Sequence, residues 1–371
     1  MAREGKSICV SPLDQEDVSL RSGACGEPSA EEAMMTNLGL PMILASVLSA
    51  FAVQSPFAVR WPEKSGPPIY ISPRGDDSAD GLTRNSAMLT PERAQAKADR
   101  LHAAVIYLLG GVFSRATPIS IKATSSLREW RAFPGEKPVL EGNGKVSAAF
   151  TVQGTDVVIE GLQIQNFRDN GIVIKGASGV VISNNEITDI ASSRWNEAGI
   201  LGMQAASNVV ISRNSIRRTG YSGVQFAASV DGDISNPKII NNSIEKTCQV
   251  VPDCGAIYVT GRPSKPVRAV ISGNEIADYG PPTQQTKAVY LDDNASGAVV
   301  ERNRISGRGS YPIAIHGGSN NQIRKNVITT LRQQKVIFSQ SRGNTPSTSM
   351  TGNRIEENTI NGVASSDITA N

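Results

Sequence analysis

One short phrase recurs seven times between Val180 and Ile360: apolar or β-branched residues, two loose positions, an asparagine, one loose residue and then isoleucine. The first copy reads VVISNNEI and the second reads VVISRNSI. The recurring asparagines are Asn185, Asn214, Asn242, Asn274, Asn303, Asn326 and Asn358. By subtraction, their successive spacings are 29, 28, 32, 29, 23 and 32 residues. A period of this size predicts a stack of repeated structural units.

The phrase alternates apolar and polar residues with a period of two and is rich in valine and isoleucine, which predicts strands and not helices. If one period is one coil, equivalent residues stack about 4.7–4.9 Å apart as neighbours in a parallel sheet. The asparagines then form a ladder at one turn. Asparagine tolerates left-handed turn geometry, and its amide can bond the turn backbone and the next amide. We therefore interpret these residues as turn formers and not as catalysts.

Each period contains a second strand, from GIVIK at 171–175 to KVIFS at 335–339. The second and fourth positions are apolar, except for Gly202, so we expect them to face the interior. The third positions, which should face outward, are Val173, Leu201, Gln225, Tyr258, Tyr290, Ala314 and Ile337. The fifth positions, on the same face, are Lys175, Met203, Ala227, Thr260, Asp292, His316 and Ser339.

The two strand sets and their spacing resemble the right-handed parallel β-helix superfamily, the pectin-lyase-like fold, over residues 139–360. The resemblance implies an all-β chain wound into a right-handed parallel β-helix. Residues 66–138 resemble the opening strand and capping-helix region of that family. Thr90 is the predicted N-cap of this helix, and Pro91 takes its first position. We expect the helix to cover the open N-terminal end of the solenoid.

The remaining segments are interpreted from composition. Residues 1–35 are polar and are interpreted as disordered or as an upstream mis-start, and residues 361–371 as a tail. Within residues 36–58, the apolar run 38–52 ends in an A-x-A pattern that is typical of a signal peptide. An uncleaved anchor is the alternative. We therefore expect a secreted or periplasmic protein without a stable membrane partner after processing, and its oligomeric state stays open.

Charge and cysteine content narrow the classes of partner. A net charge of +3 is too mild to indicate nucleic acid, and no nucleic-acid-binding motif accompanies it. A weakly basic surface suits an acidic glycan. Cys248 and Cys254 enclose a five-residue loop, and in an exported protein we expect them to form a disulfide. No metal site is predicted, because no histidine lies near these two cysteines.

The polar and aromatic outward residues cluster on adjacent coils, which suits carbohydrate chemistry. Tyr258 and Tyr290 are predicted to stack on sugar rings, and Gln225 stands beside them as a further substrate-binding residue. Asp292 is predicted to act as a general acid or base. His316 is its expected partner, because a neighbouring carboxylate shifts the titration of histidine across neutral pH.

Charged residues around this cluster are further candidates. Asp293 follows at the strand end, where we expect it to point into the turn. Arg262 and Lys287 flank the same coils and are predicted to hold a uronate carboxylate. Trp195 and Glu197 lie three to four coils away and are expected to rim a long groove.

The segments 288–297 and 312–321 are similar to coils in β-helix enzymes that process glycans, both hydrolases and lyases. The resemblance implies extracellular modification of a polysaccharide. Hydrolysis needs two carboxylates, and it is favoured here because acids outnumber convincing basic pairs on this face. The catalytic carboxylates would be Asp292 and one of Asp293, Asp253 and Glu197.

Three alternatives to hydrolysis stay open. Elimination by a polysaccharide lyase would use His316 or Lys287 as the base and Arg262 to neutralise a uronate. Calcium is the one cofactor considered, and only for a lyase. The other two alternatives are an epimerase and a non-catalytic solenoid that binds glycans.

Overall fold

The structure, a computed structural model, describes residues 66–122, 128–229, 232–330, 337–340 and 350–365. The predicted segments 1–35 and 36–58 lie outside these residues. In the described part, the strands form three sheets of eleven, nine and eleven strands. One helix, Pro91–Leu101, and two short 3₁₀ helices, Arg84–Ser86 and Pro282–Gln284, accompany them.

The strands of each sheet stack in register. The first sheet contains Ile69–Ile71, Val105–Leu108, Arg128–Ala132, Val157–Glu160, Val181–Ser183, Val210–Ser212, Lys238–Ile240, Val270–Ser272, Val299–Glu301, Gln322–Arg324 and Arg354–Glu356. The second contains Ile119–Ile121, Phe150–Val152, Ile172–Lys175, Ala198–Met203, Ser222–Ala227, Gly255–Thr260, Lys287–Asp292, Tyr311–His316 and Ile337–Gln340. The third contains Gly111–Ser114, Pro138–Glu141, Gln163–Gln165, Glu186–Ile190, Ser215–Thr219, Ser243–Glu245, Glu275–Ala277, Arg304–Gly307, Val327–Thr330, Asn358–Ile360 and Val363–Ser365.

Each regular coil runs from the first sheet to the third, and then to the second. The repeated phrase supplies two of these strands and not one. In its first copy, Val181–Ser183 lies in the first sheet and Glu186–Ile190 in the third. Only two residues separate these strands, so the sequence pattern predicted a single strand where there are two. All-β architecture and right-handed parallel coiling are confirmed.

The turn between the first and third sheets, here called the asparagine corner, contains the predicted ladder. From Asn214 onward, each ladder Oδ1 accepts hydrogen bonds from the backbone N–H and the Nδ2 of the asparagine one coil earlier, at 2.9–3.0 Å. The left-handed residue is the one before each ladder asparagine, such as Asn184 or Arg213. The expectation that the ladder residues themselves adopt this geometry is therefore wrong. Their amides are held inside the coil, and the preceding residue makes the turn.

The core is a set of stacked aliphatic side chains. The isoleucine that ends each phrase is paired in register with its equivalent in the next coil, as Ile187 is with Ile216 and Ile216 with Ile244. These three side chains are fully buried. Parallel sheets need cover on the faces that point inward, and the three sheets of the solenoid cover one another.

The N-terminal cap forms as predicted. The Thr90 side chain accepts a hydrogen bond from the Arg93 N–H, Pro91 opens the helix, and Ala94 and Ala98 are buried beneath it. The helix contacts the first two strands of the first sheet. Parallel pairing already begins at Ile69–Ile71, well before the predicted start of the coils at 139. The early strands lack the asparagine phrase, so no repeat in the sequence identifies them.

The C-terminal region differs from the sequence analysis in two places. Residues 361–365 of the predicted tail turn back, so Val363–Ser365 pairs antiparallel with Asn358–Ile360. Asn361 and Gly362 both have positive φ, as a two-residue hairpin turn requires. In the second sheet, Ala314 pairs with Phe338, so the predicted pairing with Ile337 was displaced by one residue. The run from Val336 to Phe338 is apolar throughout and gives no period-two signal for the register.

In the described part of the chain, no helix is long and apolar enough to cross a membrane.

Candidate functional site

The predicted cluster lies on the outward face of the second sheet, across four consecutive strands. The parallel register places Tyr258 beside Tyr290, and Tyr290 beside Ala314. Thr260 is likewise the neighbour of Asp292. Because outward residues in adjacent coils stack at the strand spacing, side chains separated by more than twenty residues meet here.

Asp292 is the centre of the site. One carboxylate oxygen, Oδ2, accepts the hydroxyl hydrogen of Tyr258 at 2.6 Å. The other, Oδ1, accepts the backbone N–H of Asp293 at 2.7 Å and lies 2.8 Å from Nδ1 of His316. The Asp292 side chain is only 8% exposed. Both oxygens are therefore engaged, and the carboxylate is positioned to orient other groups.

His316 is the part of the site that solvent reaches, with 29% of its side chain exposed. A carboxylate accepts hydrogen bonds, so Nδ1 of His316 carries the proton shared with Asp292. The other ring nitrogen, Nε2, makes no hydrogen bond to any residue that the structure describes. The hydrogen bond to Asp292 raises the pKa of His316 above its ordinary value of 6.5, against the opposing effect of partial burial. The negative charges of Asp292 and Asp253 also raise this pKa, and the positive charge of Lys287 lowers it.

The pKa of His316 should be measurably above 6.5 and should fall in the Asp292→Asn variant, which loses the negative charge. An NMR titration of the imidazole signals tests this, and a His102→Gln variant assigns them because the chain has two histidines. The raised pKa also means that the imidazolium–carboxylate pair stabilises the fold below the unfolded-state pKa. This stability is lost as the pH rises through the folded value. An identical titration in wild type and Asp292→Asn would contradict the observed contact.

The two tyrosines stack on each other and not on an open surface. Their ring centroids are 4.8 Å apart with an interplanar angle of 16°, and they are 7% and 5% exposed. The ammonium of Lys287 lies 3.9 Å from the centroid of the Tyr290 ring. Burial, and then the charge of Asp292, raise the pKa of Tyr258, so its hydroxyl remains a donor. The predicted stacking of both rings on sugars is not supported, because little ring surface is open to a ligand.

The loop that covers these rings is closed by a disulfide between Cys248 and Cys254. Both cysteines pack in one apolar cluster with Tyr258, Tyr290 and Ala314. The sequence analysis placed the tyrosines on an exposed strand face, because this loop's fold over the sheet cannot be read from strand periodicity. The loop thus leaves His316 as the accessible group of the cluster.

The remaining predicted residues are largely engaged with protein partners. The Lys287 ammonium pairs with Asp253 at 2.6 Å and is almost fully buried. Arg262 donates to the Ser229 carbonyl and lies 4.0 Å from an oxygen of Asp233. Neither cation is thus an uncommitted ligand for a substrate carboxylate. Asp293 has a positive φ of 49°, which agrees with its predicted position in the turn.

The loop that contains Trp195 lies several coils away from His316. Glu197 is buried and accepts the backbone N–H groups of Ser193 and Arg194 at 2.5 and 3.0 Å. Its carboxylate therefore shapes the loop, so a role as a catalytic acid is not supported. Trp195 itself is 70% exposed. Gln225 is buried and donates to Asn196 Oδ1 at 2.9 Å, so it anchors this loop and is hardly accessible to a substrate.

Two grooves flank the second sheet. The larger, about 1110 Å³, lies at the corner where each coil passes from the third sheet to the second. Its charged lining residues are Asp189, Arg218, Lys246, Asp278 and Arg308. The smaller, about 560 Å³, lies beyond the C-terminal ends of the second-sheet strands, next to the turn that follows His316. Among the described residues, no group of three or more histidine, cysteine or acidic side chains is arranged to hold a metal ion.

Comparisons with solved structures find the same fold. Pectate lyase Pel9A superposes with a TM-score of 0.57 at 13% identity, over 82% of this chain and 82% of that chain. An alginate lyase from Paenibacillus sp. str. FPU-7 gives 0.55 at 15% identity, over 80% and 96%. A protein named as a glycoside hydrolase gives 0.51 at 10% identity, over 80% and 96%. At such low identities the likeness shows the fold alone.

Sequence comparison gives the family. No curated protein matches the chain. The family profile described as "Right handed beta helix region" matches residues 141–267 and 255–371, which together cover more than half of the sequence. The match includes every copy of the asparagine phrase. The chain belongs to the right-handed β-helix family.

Proposed function

We propose that this protein is a polysaccharide-active enzyme that cleaves an acidic glycan by elimination, with His316 as the base. The observation that carries the proposal is the His316–Asp292 pair, in which Asp292 occupies Nδ1 and leaves Nε2 without a partner among the described residues. A histidine oriented by a carboxylate is a common general base. The similar structures include proteins named as pectate and alginate lyases, so the fold accommodates this chemistry.

The proposed reaction requires a carbon acid, which a uronate supplies next to its carboxylate. Nε2 of His316 takes the proton from that carbon. The electron pair of the broken C–H bond forms a C=C bond, the C–O bond to the leaving sugar breaks, and the leaving oxygen takes a proton from water. Asp292 stabilises the imidazolium that forms, and Tyr258 holds Asp292 in place through its 2.6 Å hydrogen bond.

Elimination is supported better than the hydrolysis that the sequence analysis favoured. Hydrolysis needs two carboxyl groups that flank the scissile bond, about 5–9.5 Å apart. Asp292 is buried, with both oxygens engaged. Asp253 is paired with Lys287, and Glu197 bonds the backbone of its own loop. The accessible proton acceptor is thus an imidazole and not a carboxylate.

Calcium is the candidate cofactor for a lyase. The described residues offer no cluster of acidic ligands, and the oxygens of Asp292 already accept hydrogen bonds from protein donors. These residues do not fit a calcium site, so no step is derived through the ion. Export to the periplasm or medium is part of the proposal, since a disulfide persists in oxidising compartments.

A polysaccharide panel tests the proposed function. The full chain is incubated with polygalacturonate, alginate and a neutral xylan, with and without calcium, and both reducing ends and the ultraviolet absorbance of unsaturated uronate are followed. Elimination predicts that both signals rise together on a uronate polymer. Reducing ends without new absorbance would establish hydrolysis and refute the proposal. Altered sugar stereochemistry at constant chain length, seen by proton NMR, would indicate an epimerase, and binding alone a glycan-binding solenoid.

A further inference from the structure

The smaller groove contacts the same coils as the proposed base. Its wall includes Asn294, two residues after Asp292, and Gly318, two residues after His316. The opposite wall comes from the loop 263–268, which follows the strand of Tyr258. A ligand in this groove would therefore lie beside the carboxyl ends of the three strands that form the site.

Charge sets this groove apart from the rest of the site. Its lining includes two basic residues, Lys265 and Arg268, and no acidic residue. The guanidinium of Arg268 makes no ion pair or hydrogen bond with any residue that the structure describes. Lys265 is mostly exposed and lies 3.8 Å from an oxygen of Asp233. By contrast, Lys287 is buried against Asp253, which neutralises its charge.

The shape of the groove depends on residues without large side chains. A Cβ added at Gly297 would lie 3.5 Å from Cγ of Arg268, so the arginine stem runs along this glycine. A Cβ added at Gly318 would lie 2.2 Å from the Ala295 carbonyl oxygen, so only glycine fits there.

We propose that this groove is the carboxylate subsite of the acidic glycan, with Arg268 as its ligand. A guanidinium binds a carboxylate through two parallel N–H···O bonds, which a lysine cannot reproduce. The subsite replaces Arg262 and Lys287, which the sequence suggested for this role. The identification of the anion as a uronate rests on the proposed function, whereas the binding of an anion does not.

Binding of oligogalacturonate and of oligoalginate, measured by calorimetry in the His316→Gln background, tests the subsite while turnover is slow. Adding Arg268→Gln should weaken binding of the preferred oligomer about 10-fold to 100-fold, the value of a charge-assisted hydrogen bond. Arg268→Lys should give an intermediate loss. The matched control is Arg304→Gln, an exposed arginine on the third sheet, which should leave affinity unchanged. Methyl-esterified oligogalacturonate should bind equally to the parent and to Arg268→Gln.

The outcomes separate this inference from the proposed function. Equal affinity of the parent and Arg268→Gln, or no binding of either uronate oligomer, would refute the subsite even if the wild-type protein performs elimination. A loss of affinity in Arg268→Gln, together with no elimination by the wild-type protein, would retain the subsite and refute the proposed reaction. Because Arg268 is exposed and its guanidinium has no partner among the described residues, we expect its replacement to leave the thermal unfolding midpoint unchanged, which checks that the variant is folded.

Discussion

Replacement of His316 by glutamine should lower the rate of elimination about 10²-fold to 10⁴-fold, the usual contribution of a general base. Glutamine keeps a polar side chain of moderate size beside Asp292 but has no group that takes a proton at neutral pH. The measurement is kcat on the uronate polymer identified by the panel. His102→Gln is the matched control, because His102 lies at the C-cap of the N-terminal helix and outside the site.

The pH profile distinguishes a base from a merely structural residue. Because the pKa of His316 is raised, the rate of the wild-type protein should increase with pH through a value above 6.5. In Asp292→Asn this rise of the rate should occur at lower pH, because the imidazolium loses its stabilising partner. The maximal rate should also fall. If the His316→Gln protein retained the full rate and the pH dependence of the wild type, His316 would be ruled out as the base.

Replacement of Asn274 by alanine should lower the free energy of unfolding by about 2–4 kcal/mol, because several buried groups lose a hydrogen-bond partner at once. The Asn274 Oδ1 accepts two hydrogen bonds from Asn242, and its Nδ2 donates to the Ile239 carbonyl. All of these groups are inaccessible to water in the coil, so solvent cannot replace the lost partner. Urea unfolding followed by circular dichroism measures the change.

Asn85→Ala is the control for the ladder variant, since Asn85 is exposed in a short 3₁₀ helix. Its replacement should change the free energy by less than about 0.5 kcal/mol, as for most surface positions. If Asn274→Ala were no more destabilising than this control, the ladder would contribute no net stability. Solenoids can unfold in parts, so a broadened transition would locate the weakened coil and would not contradict the prediction.

The fold was predictable because the asparagine phrase combines a turn signal with two apolar positions at a constant distance from it. The third sheet was missed because its strands lie so close to those of the first that one pattern covers both. The C-terminal hairpin had a signal, the Asn361-Gly362 pair, which is a strong sequence marker of a tight turn. The displaced register at Phe338 had none, since a continuous apolar run fits either face.

The contact between Asp292 and His316 was predictable from strand alignment alone, because outward residues one coil apart are neighbours. The role of Tyr258 was not, since its burial depends on a loop that returns over the sheet from another corner. Arg268 was also missed, because it lies in the turn before the strand Val270–Ser272 and in neither of the outward columns. The loops at the other two corners vary in length from coil to coil, so the placement of their residues depends on loop conformation and not on periodicity.

The asparagine corner has a consequence for how this protein can diversify. Successive ladder residues are separated by as few as 23 and as many as 32 residues, yet their hydrogen bonds keep the same lengths. Insertions therefore occur at the other two corners, where they do not disturb the stacking. Those are the corners that hold the disulfide loop and the basic groove. A lineage of such chains can exchange the loops at these two corners coil by coil, while the asparagine corner preserves the scaffold.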